Sequence, residues 1–298
     1  MPVSAGKSET VPCACCSFKK FKPALECEGF SFVRCAKCGL VQRNPRLKEE
    51  EIITRYQTSF GDDYLSYELE NEAAFLNLQL LALADADFYK LEKTLFIRAE
   101  QAAEQAAEKA VEQAPSILDI GCATGALLAH LRERGWRVTG VEISPSGAYA
   151  RKERSLDVKT TPLEENNFAS ASFDVIHASH LIEHLNDPKA FLLECCRILK
   201  KDGTIFITTP NIAGFQARLF GSAWRSAIFD HLYLFSAATL TKLLKETGFK
   251  KTKCRTWGGL AAGSSPKWLK KPADRLAKLF NCGDVMIIKA KKWIADKD

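Results

Sequence analysis

A short apolar segment that leads directly into two spaced glycines constrains this chain more than any other feature of its sequence. Residues 116–120 read Ser-Ile-Leu-Asp-Ile and predict a buried strand, after which Gly121 and Gly125 open a helix. A second predicted strand ends at Glu142, 17 residues beyond Gly125. A carboxylate at the tip of the second strand can accept both hydroxyl groups of a ribose. The two segments therefore predict a nucleoside-binding crevice at the carboxyl ends of neighbouring strands.

The pattern D-x-G-x-x-x-G separates this crevice from a dinucleotide site. Dinucleotide-binding loops read G-x-G-x-x-G and hold a pyrophosphate at a helix N-terminus. This loop lacks the third glycine, and Asp119 precedes the turn, where its carboxylate would repel a pyrophosphate. The same carboxylate suits a cationic ligand, such as an amino-acid ammonium or a sulfonium. The loop therefore favours S-adenosylmethionine over NAD.

From residue 116 onward, short apolar runs alternate with segments of helical period. This alternation predicts an α/β domain in which helices cover both faces of a mainly parallel sheet. Strands are expected at 116–120, 137–142, 157–161, 173–178, 203–209, 250–257 and 284–289. Helices are expected at 125–134, 146–154, 187–200 and 237–247.

Residues 116–249 resemble the class I S-adenosylmethionine-dependent methyltransferases, and in particular the subgroup that includes the ubiquinone-biosynthesis O-methyltransferases. The segments that carry the resemblance are LDIGCATG (118–125), GVEIS (140–144), FDVIHASHLIEHLNDP (173–188), RILKKDGTIFITTPN (197–211) and HLYLFSAATLTKLLKETGF (231–249). The resemblance implies a Rossmann-like, seven-stranded sheet of order 3-2-1-4-5-7-6, with helices on both faces and an antiparallel last strand.

The resemblance also implies a set of cofactor-binding residues. They are Asp119, Gly121, Cys122, Gly125, Glu142, Ile143, Leu163, Glu164, Ala178 and Ser179. By this resemblance, the residues of the first loop line the methionine part, Glu142 holds the ribose and Ile143 packs on the adenine. The chain departs from the family pattern at Pro162, where an acidic residue is common. Adenine recognition would then fall to the Leu163 backbone or to the Glu164 side chain.

Methyl transfer to a hydroxyl group requires an aligned acceptor and a general base. The candidates for catalysis are His180, Glu183, His184 and His231. On a helical turn, positions 180, 183 and 184 share one face, so they could bind a divalent metal ion or provide a base and its orienting partner. Related ubiquinone enzymes carry an acidic residue where this chain has His180. Glu183 and His184 could instead fix the loop through hydrogen bonds.

The N-terminal segment contains two Cys-x-x-Cys pairs, Cys13/Cys16 and Cys35/Cys38, with 18 residues between them. This spacing is typical of a zinc ribbon, in which four thiolates form a structural site. The adjoining Cys15 could replace Cys16 as a ligand, and free thiols or a redox pair are the alternatives. The odd total of 11 cysteines argues against a disulfide framework.

The chain divides into three predicted parts. Residues 1–48 form the zinc-ribbon-like module, 49–114 a helical linker or cap, and 115–298 the α/β domain. The Ala/Glu/Gln run at 100–113 has high helix propensity and predicts a solvated helix. The basic amphipathic segment 266–280 predicts a helix that packs over the domain, with peripheral contact to a membrane or binding of an acidic partner as the alternatives.

Composition narrows the classes of function. The chain is 46% hydrophobic and 26% charged, as ordinary globular proteins are, and no stretch approaches the ~20 apolar residues of a membrane span. The first ten residues lack the apolar core of a signal peptide, so a cytoplasmic protein is expected. A net charge of +6 permits an anionic ligand without demanding nucleic acid.

Four functions are candidates for this sequence, and one of them, a nucleotide-dependent oxidoreductase, is excluded if the protein fails to bind NAD. The first is an enzyme that methylates a small-molecule acceptor, on oxygen, by in-line displacement. The second is an RNA-directed methyltransferase guided by the basic residues of the ribbon, which are Arg34, Lys37, Arg43, Arg46 and Lys48. With only Phe30 and Phe32 as stacking groups, the ribbon argues against nucleic acid as the partner. The third is a non-catalytic cofactor-binding scaffold. The identity of the acceptor and the oligomeric state stay open.

Overall fold

The structure, a computed structural model, describes residues 8–48, 62–106, 114–258 and 277–293, together with Pro272 and Arg275. Its helices are α1 Asp62–Asp85, α2 Phe88–Ala106, α3 Ala126–Glu133, α4 Pro145–Arg154, α5 Pro188–Ile198, α6 Phe215–Phe220 and α7 Ala237–Glu246. Its strands are β1 Ser8–Glu9, β2 Phe21–Cys27, β3 Phe30–Cys35, β4 Val41–Arg43, β5 Arg46–Leu47, β6 Ser116–Ile120, β7 Arg137–Val141, β8 Val158–Lys159, β9 Phe173–Ser179, β10 Leu199–Pro210, β11 Tyr233–Leu234, β12 Phe249–Trp257 and β13 Val285–Lys292. Short 3-10 turns occupy Leu163–Asn166 and Gly221–Ala223.

A seven-stranded sheet forms the centre of the protein, in the order β12-β13-β10-β9-β6-β7-β8. Counted from the first strand of the α/β domain, this is the expected order 3-2-1-4-5-7-6. Strands β6 to β10 pair in parallel, whereas β13 runs antiparallel to both of its neighbours. Parallel neighbours need crossover connections, and α3, α4 and α5 lie in three of them. The expected fold class is confirmed.

The predicted elements agree with the structure to within a few residues, and two strands differ most in length. Strand β8 is shorter than the predicted 157–161, because it lies at the sheet edge and pairs only with Gly140 and Val141 of β7. Strand β10 begins at Leu199, before the predicted 203. An irregularity between Leu199 and Thr204 lets both ends of this strand pair with β9.

Apolar clusters cover both faces of the sheet. On one face α1, α2 and α3 pack on the strands, with Phe88 and Trp136 stacked at a centroid distance of 5.5 Å. The buried Glu92 of α2 accepts a hydrogen bond from the Trp136 indole at 2.9 Å, which satisfies that polar group. On the other face α5 and α7 pack on the same strands. All five residues of β6 are buried, as expected for a central parallel strand.

The cysteine-rich module packs directly against the α/β domain. Its small sheet has the order β11-β4-β3-β2, so its edge strand β11 comes from a distant part of the chain. Cys13, Cys15 and Leu40 belong to the same apolar cluster as Phe235 and Leu240. The predicted boundary at residue 48 thus falls between segments that share a sheet and a core.

Parts of two predicted helices lie outside the described residues. Helix α2 accounts for the Ala/Glu/Gln run as far as Ala106, and 107–113 is not described. The basic segment 266–280 is described only at Pro272, at Arg275 and from 277 onward. Within the described ranges, no helix combines the length and the apolar character needed to cross a membrane.

Candidate functional site

The loop between β6 and α3 has the shape that its glycines predict. Gly121 and Gly125 adopt φ angles of 76° and 75°, in the left-handed region that favours glycine. A Cβ atom at Gly125 would also lie 2.6 Å from Leu156 Cδ1. The intervening Ala123 adopts φ 48°, which costs about 1–2 kcal/mol in a residue with a side chain. The loop is therefore a strained turn that opens directly into helix α3.

Glu142 follows the last residue of β7 and lies beside this loop. Its Oε2 accepts a hydrogen bond from the Ala123 amide at 3.1 Å, and its Oε1 accepts one from the Ser144 amide at 2.8 Å. Each carboxylate oxygen has a further lone pair with which to accept a hydroxyl group. Gly147 of α4 lies so close that an added Cβ atom would be 3.0 Å from Glu142 Cβ. Close packing and two amide donors thus fix this carboxylate at the crevice.

Asp119 lies opposite His177 in the parallel register of β6 and β9. The two side chains are buried, and His177 Nδ1 lies 2.7 Å from Asp119 Oδ1. Among the described residues, Asp119 Oδ2 has no hydrogen-bond partner. The sequence indicates only that His177 lies in a strand, and the strand register brings it to Asp119. The pair holds one carboxylate oxygen and leaves the other available to a cation.

The remaining predicted cofactor-binding residues differ in how far their side chains are exposed to solvent. Ile143 is 48% exposed and Glu164 is also exposed, so both side chains can reach a ligand. The side chains of Cys122, Leu163 and Ala178 are buried, and burial raises the pKa of the Cys122 thiol. Any contact from these three residues would involve the backbone. Ser179 is half-buried at the end of β9.

Two glutamates of α1 hold the cofactor loop and α4 together. Glu72 accepts a hydrogen bond from Thr124 Oγ1 at 2.5 Å and pairs with Arg154 at 2.6 Å. Glu68, which is buried, accepts a hydrogen bond from Ser146. The sequence pattern does not single out these glutamates, since acidic residues on a predicted helix ordinarily face solvent. Only the packing of α1 on the sheet shows that they support the loop.

A second cluster of polar side chains follows β9. His180 adopts φ 52°, and its Nδ1 lies 3.3 Å from Glu183 Oε1. Glu183 is buried, and its Oε2 accepts a hydrogen bond from Thr209 Oγ1 at 2.9 Å. Burial opposes the charge on Glu183, but His180 and the neighbouring imidazoles lower the pKa of this carboxyl to about 2. Glu183 is therefore a carboxylate at neutral pH.

His184 and His231 complete this cluster, with ring centroids 4.7 Å apart. His184 Nδ1 lies 3.0 Å from the Asp230 carbonyl oxygen, and His231 Nδ1 lies 2.7 Å from the Ser226 carbonyl oxygen. A carbonyl can only accept, so both Nδ1 atoms donate, and in the neutral rings Nε2 carries the lone pair. Burial and then the neighbouring His184 lower the pKa of His231 to about 4, so its ring is neutral at pH 7.

Glu183, His184 and His231 each offer a ligand atom within 4.8 Å of the others. The structure therefore groups His231 with the Glu-His pair, whereas the helical-face argument expected His180 in that place. Among the described residues, Glu183 Oε1 is a buried oxygen without a hydrogen-bond partner. Two imidazoles whose Nδ1 atoms donate to carbonyls and one unsatisfied carboxylate oxygen fit a divalent metal ion.

The four predicted zinc ligands come together. The Sγ atoms of Cys13, Cys16, Cys35 and Cys38 all lie within 4.8 Å of one another. The Cys13–Cys38 and Cys16–Cys35 distances are 3.4 and 3.6 Å, close to the roughly 3.8 Å of a tetrahedral site with Zn–S bonds of about 2.3 Å. Cys15 lies outside this group and packs in the core, where burial raises its pKa to about 12. Cys16 therefore completes the first pair.

Backbone amides favour thiolates in both pairs. The amides of Cys15 and Cys16 donate to the Cys13 sulfur, although burial raises the pKa of this thiol. Burial also opposes ionisation of Cys35, but the amides of Cys38 and Lys37 prevail and lower its pKa to about 7. Amide donors directed at sulfur suit a structural zinc ion, which binds thiolates rather than thiols.

Several known proteins are similar in sequence to this chain. A family model described as a methyltransferase domain matches residues 91–253. The ubiquinone biosynthesis O-methyltransferase of Idiomarina loihiensis is 34% identical over 102 residues, which cover 32% of this chain and 42% of that protein. The protein of the same name from Caulobacter vibrioides is 32% identical over 127 residues, which cover 39% of this chain and 50% of that protein. The chain thus spans half or less of the length of these relatives.

Among solved structures, an S-adenosylmethionine-dependent methyltransferase from Archaeoglobus fulgidus is similar to this chain, with 19% identity and a TM-score of 0.46. The superposition covers 69% of this chain and 99% of that structure. Phosphoethanolamine N-methyltransferase 2 of Haemonchus contortus has 18% identity and a TM-score of 0.47. That superposition covers 61% of this chain and 49% of that structure.

Proposed function

Because the chain belongs to the methyltransferase domain family, we propose that it binds S-adenosylmethionine and transfers the methyl group to a hydroxyl oxygen of a small molecule. The observation that carries this proposal is the pair of carboxylates at the carboxyl ends of β6 and β7. Asp119 and Glu142 flank a glycine turn, and both are held by protein donors with acceptor capacity to spare. The curated relatives are named O-methyltransferases, which supports oxygen as the acceptor atom.

In this proposal, residues 115–298 form the methyltransferase domain, with 49–114 as a helical cap and 1–48 as a zinc ribbon. Asp119 binds the cationic methionine end of the cofactor, Glu142 binds the ribose and Ile143 packs on the adenine. The sulfonium makes the methyl group reactive when the cofactor is bound. The protein then has to orient the acceptor, exclude water and accept a proton.

His180 is the proposed general base. It follows β9 at the same edge of the sheet as the cofactor loop, and Leu181 beside it lies 3.5 Å from where a Cβ of Gly121 would stand. Its side chain is half-exposed, so an acceptor can reach it, and Glu183 Oε1 lies next to its Nδ1. A carboxylate next to one imidazole nitrogen orients the ring and stabilises the imidazolium that forms.

A second route to acceptor activation is a divalent ion bound by Glu183, His184 and His231. Within the described residues Glu183 Oε1 is buried and accepts no hydrogen bond, although His180 Nδ1 lies 3.3 Å away, and this favours the metal route. A bound ion would polarise the acceptor oxygen and lower the pKa of its hydroxyl group. Metal analysis and addition of magnesium, manganese or zinc to chelator-treated protein distinguish the two routes. Activity that survives complete metal removal supports His180 alone.

RNA as the acceptor receives little support from the ribbon. Arg43 and Arg46, two of its five candidate RNA contacts, are buried or nearly so. Their guanidinium groups bind backbone carbonyls of the methyltransferase domain, at Phe229 and Asn186. Groups engaged in this way are not available to phosphates. Salt-independent, weak RNA binding is the expected result.

The experiment that tests the function is calorimetric titration with S-adenosylmethionine, with NAD as the control. We expect micromolar binding of the first and none of the second. Absence of S-adenosylmethionine binding would refute the proposed function, whereas binding without methyl transfer would favour the non-catalytic cofactor-binding scaffold.

Protein that binds is then assayed with a panel of phenols and hydroxylated sugars. His180→Gln should lower kcat about 10²- to 10⁴-fold without changing cofactor affinity, whereas His130→Gln on α3 is the matched control.

A further inference from the structure

The segment that carries His231 is an edge of the ribbon's own sheet. Tyr233 and Leu234 form β11 and pair antiparallel with Gln42 and Val41 of β4. The Arg43 amide donates to the Leu232 carbonyl at 2.8 Å and extends this pairing toward His231. The acceptor site is the cluster of His180, Glu183, His184 and His231. The ribbon thus reaches this site through main-chain hydrogen bonds.

Arg46 of β5 connects the ribbon to the α/β domain through its side chain. Its Nη1 donates to the Asn186 carbonyl at 2.9 Å and to the Tyr233 hydroxyl at 3.0 Å. The Tyr233 hydroxyl in turn donates to the same Asn186 carbonyl at 3.0 Å. Arg46 Nε is paired with Glu9 at 3.1 Å, and its side chain is only 13% exposed. This guanidinium is therefore held in one orientation, where it binds the end of the loop that follows β9, residues 180–187.

Arg43 holds the other loop of the site. Its Nη1 donates to the Phe229 carbonyl at 2.7 Å, and its guanidinium stacks on the Phe229 ring at 3.5 Å. Phe229 lies between the carbonyls that bind the two imidazoles, those of Ser226 and Asp230. The ribbon therefore contacts both loops from which the imidazoles and the carboxylate project.

The two loops are also joined to each other at Glu183. Its carbonyl accepts hydrogen bonds from the Leu232 amide at 2.8 Å and from the Tyr233 amide at 3.1 Å. His184 then reaches back to Asp230 through its Nδ1. A shift of β11 would therefore move the carboxylate and both imidazoles together.

Two side chains of this segment, Gln42 in β4 and Asn44 directly after it, are hydrogen-bonded to the segment that carries the first cysteine pair. The Gln42 side chain accepts a hydrogen bond from the Ala14 amide and donates to the Pro12 carbonyl, both at 3.2 Å. The Asn44 side chain pairs in the same way with the Val11 backbone, at 3.1 and 3.0 Å. Residues 11–16 carry two of the four sulfur atoms. A continuous set of hydrogen bonds thus connects the cysteine group to the acceptor site.

We propose that the cysteine ribbon positions the acceptor site, with Arg46 as the positioning residue that holds the Glu183–His184 loop against the segment of His231. The proposal rests on the proposed function in one respect, namely that these side chains activate a methyl acceptor. The positioning itself follows from the contacts. Loss of the metal from the ribbon should displace the side chains of the acceptor site and leave the cofactor crevice intact, since that crevice is built from α1, α3, α4 and the strands β6, β7 and β9.

The test follows the histidine rings by nitrogen-15 NMR, which needs neither acceptor nor turnover. The chain has five histidines, and single His→Gln variants assign their ring signals. The test variants are Arg46→Lys, which cannot form the forked contact, and Tyr233→Phe, which keeps the buried ring but removes the hydroxyl. Arg34→Lys is the matched control, because the Arg34 side chain is exposed on β3 and, within the described part of the chain, its hydrogen bond goes to the Gly39 carbonyl of the ribbon.

We expect Arg46→Lys and Tyr233→Phe to shift or broaden the ring signals of His184 and His231, with those of His130 and His177 unchanged. Cys35→Ser combined with Cys38→Ser, in metal-free buffer, should affect the same two signals, because it removes two sulfur ligands of the ribbon and no group of the Glu183–His184–His231 cluster. S-adenosylmethionine affinity should stay within about twofold, and kcat with any accepted substrate should fall about 10- to 100-fold.

Unchanged His184 and His231 signals in folded Tyr233→Phe protein would overturn the proposal. Equal changes in all assigned histidines, or the same changes in Arg34→Lys, would also overturn it, since they indicate a general loss of structure. Failure of the wild-type protein to bind S-adenosylmethionine would refute the proposed function, and the NMR result would still decide the positioning role.

Discussion

Glu142→Ala tests the proposal that Glu142 binds the ribose of S-adenosylmethionine. Glu142 directly follows β7, and its carboxylate accepts a hydrogen bond from the loop that follows β6. In the structure, each Glu142 oxygen holds one backbone amide and has one more lone pair for a ribose hydroxyl. A hydrogen bond to a charged group contributes about 1.5–3 kcal/mol. Loss of two such bonds should cost about 3–6 kcal/mol, which corresponds to about 10²- to 10⁴-fold weaker binding of S-adenosylmethionine.

Glu142→Gln separates charge from shape in the same experiment. Its amide keeps one acceptor oxygen but turns an NH2 group toward either the Ala123 or the Ser144 amide, where donor meets donor. We expect an intermediate loss of about 10- to 100-fold. Glu153→Ala is the control, since Glu153 is half-exposed on α4 and its ion pair among the described residues is with Lys152, at 3.4 Å.

The assay is calorimetric titration of each variant, accompanied by thermal unfolding. Glu142→Ala also leaves two loop amides without their acceptor, so a modest fall in Tm is expected alongside the loss of affinity. S-adenosylmethionine affinity in Glu142→Ala within twofold of the wild-type value, with Tm preserved, would refute the ribose assignment and the reasoning from strand ends.

Three further results are expected. Cys35→Ser combined with Cys38→Ser should release about one zinc ion per chain and lower Tm, and wild-type protein that contains no zinc on metal analysis would contradict the ribbon assignment. Gly125→Ala should lower Tm and weaken S-adenosylmethionine binding, because φ is 75° and the new methyl group would meet Leu156; an unchanged Tm contradicts this. In metal-free protein, Tm should fall as pH drops from 7 to 4, since His231 has a folded pKa of about 4, below its usual 6.5, and the unfolded chain therefore binds the extra proton. His231→Asn should flatten that decline between pH 6.5 and 4, and a decline as steep as that of the wild type would refute it.

The sequence by itself determined the fold class and the glycine loop at which we propose the cofactor crevice. These follow from local rules, because the apolar runs that predict strands and the periodicity that predicts helices are read from short segments of the chain. Strand β6 begins and ends where its apolar run does. The glycines at 121 and 125 both adopt the left-handed conformation that their spacing indicates. Two Cys-x-x-Cys pairs likewise sufficed to predict one group of four sulfurs.

Only the tertiary structure decided which side chains meet. It placed Cys16 rather than Cys15 in the sulfur group, and it brought His231 to Glu183 across 48 residues of sequence. It also placed Glu72 beside the loop after β6 and Arg46 against Asn186 in the loop after β9. The physical reason is that each of these contacts depends on how distant elements pack and in which register strands pair. No local pattern specifies which face of a helix or strand a distant partner will cover.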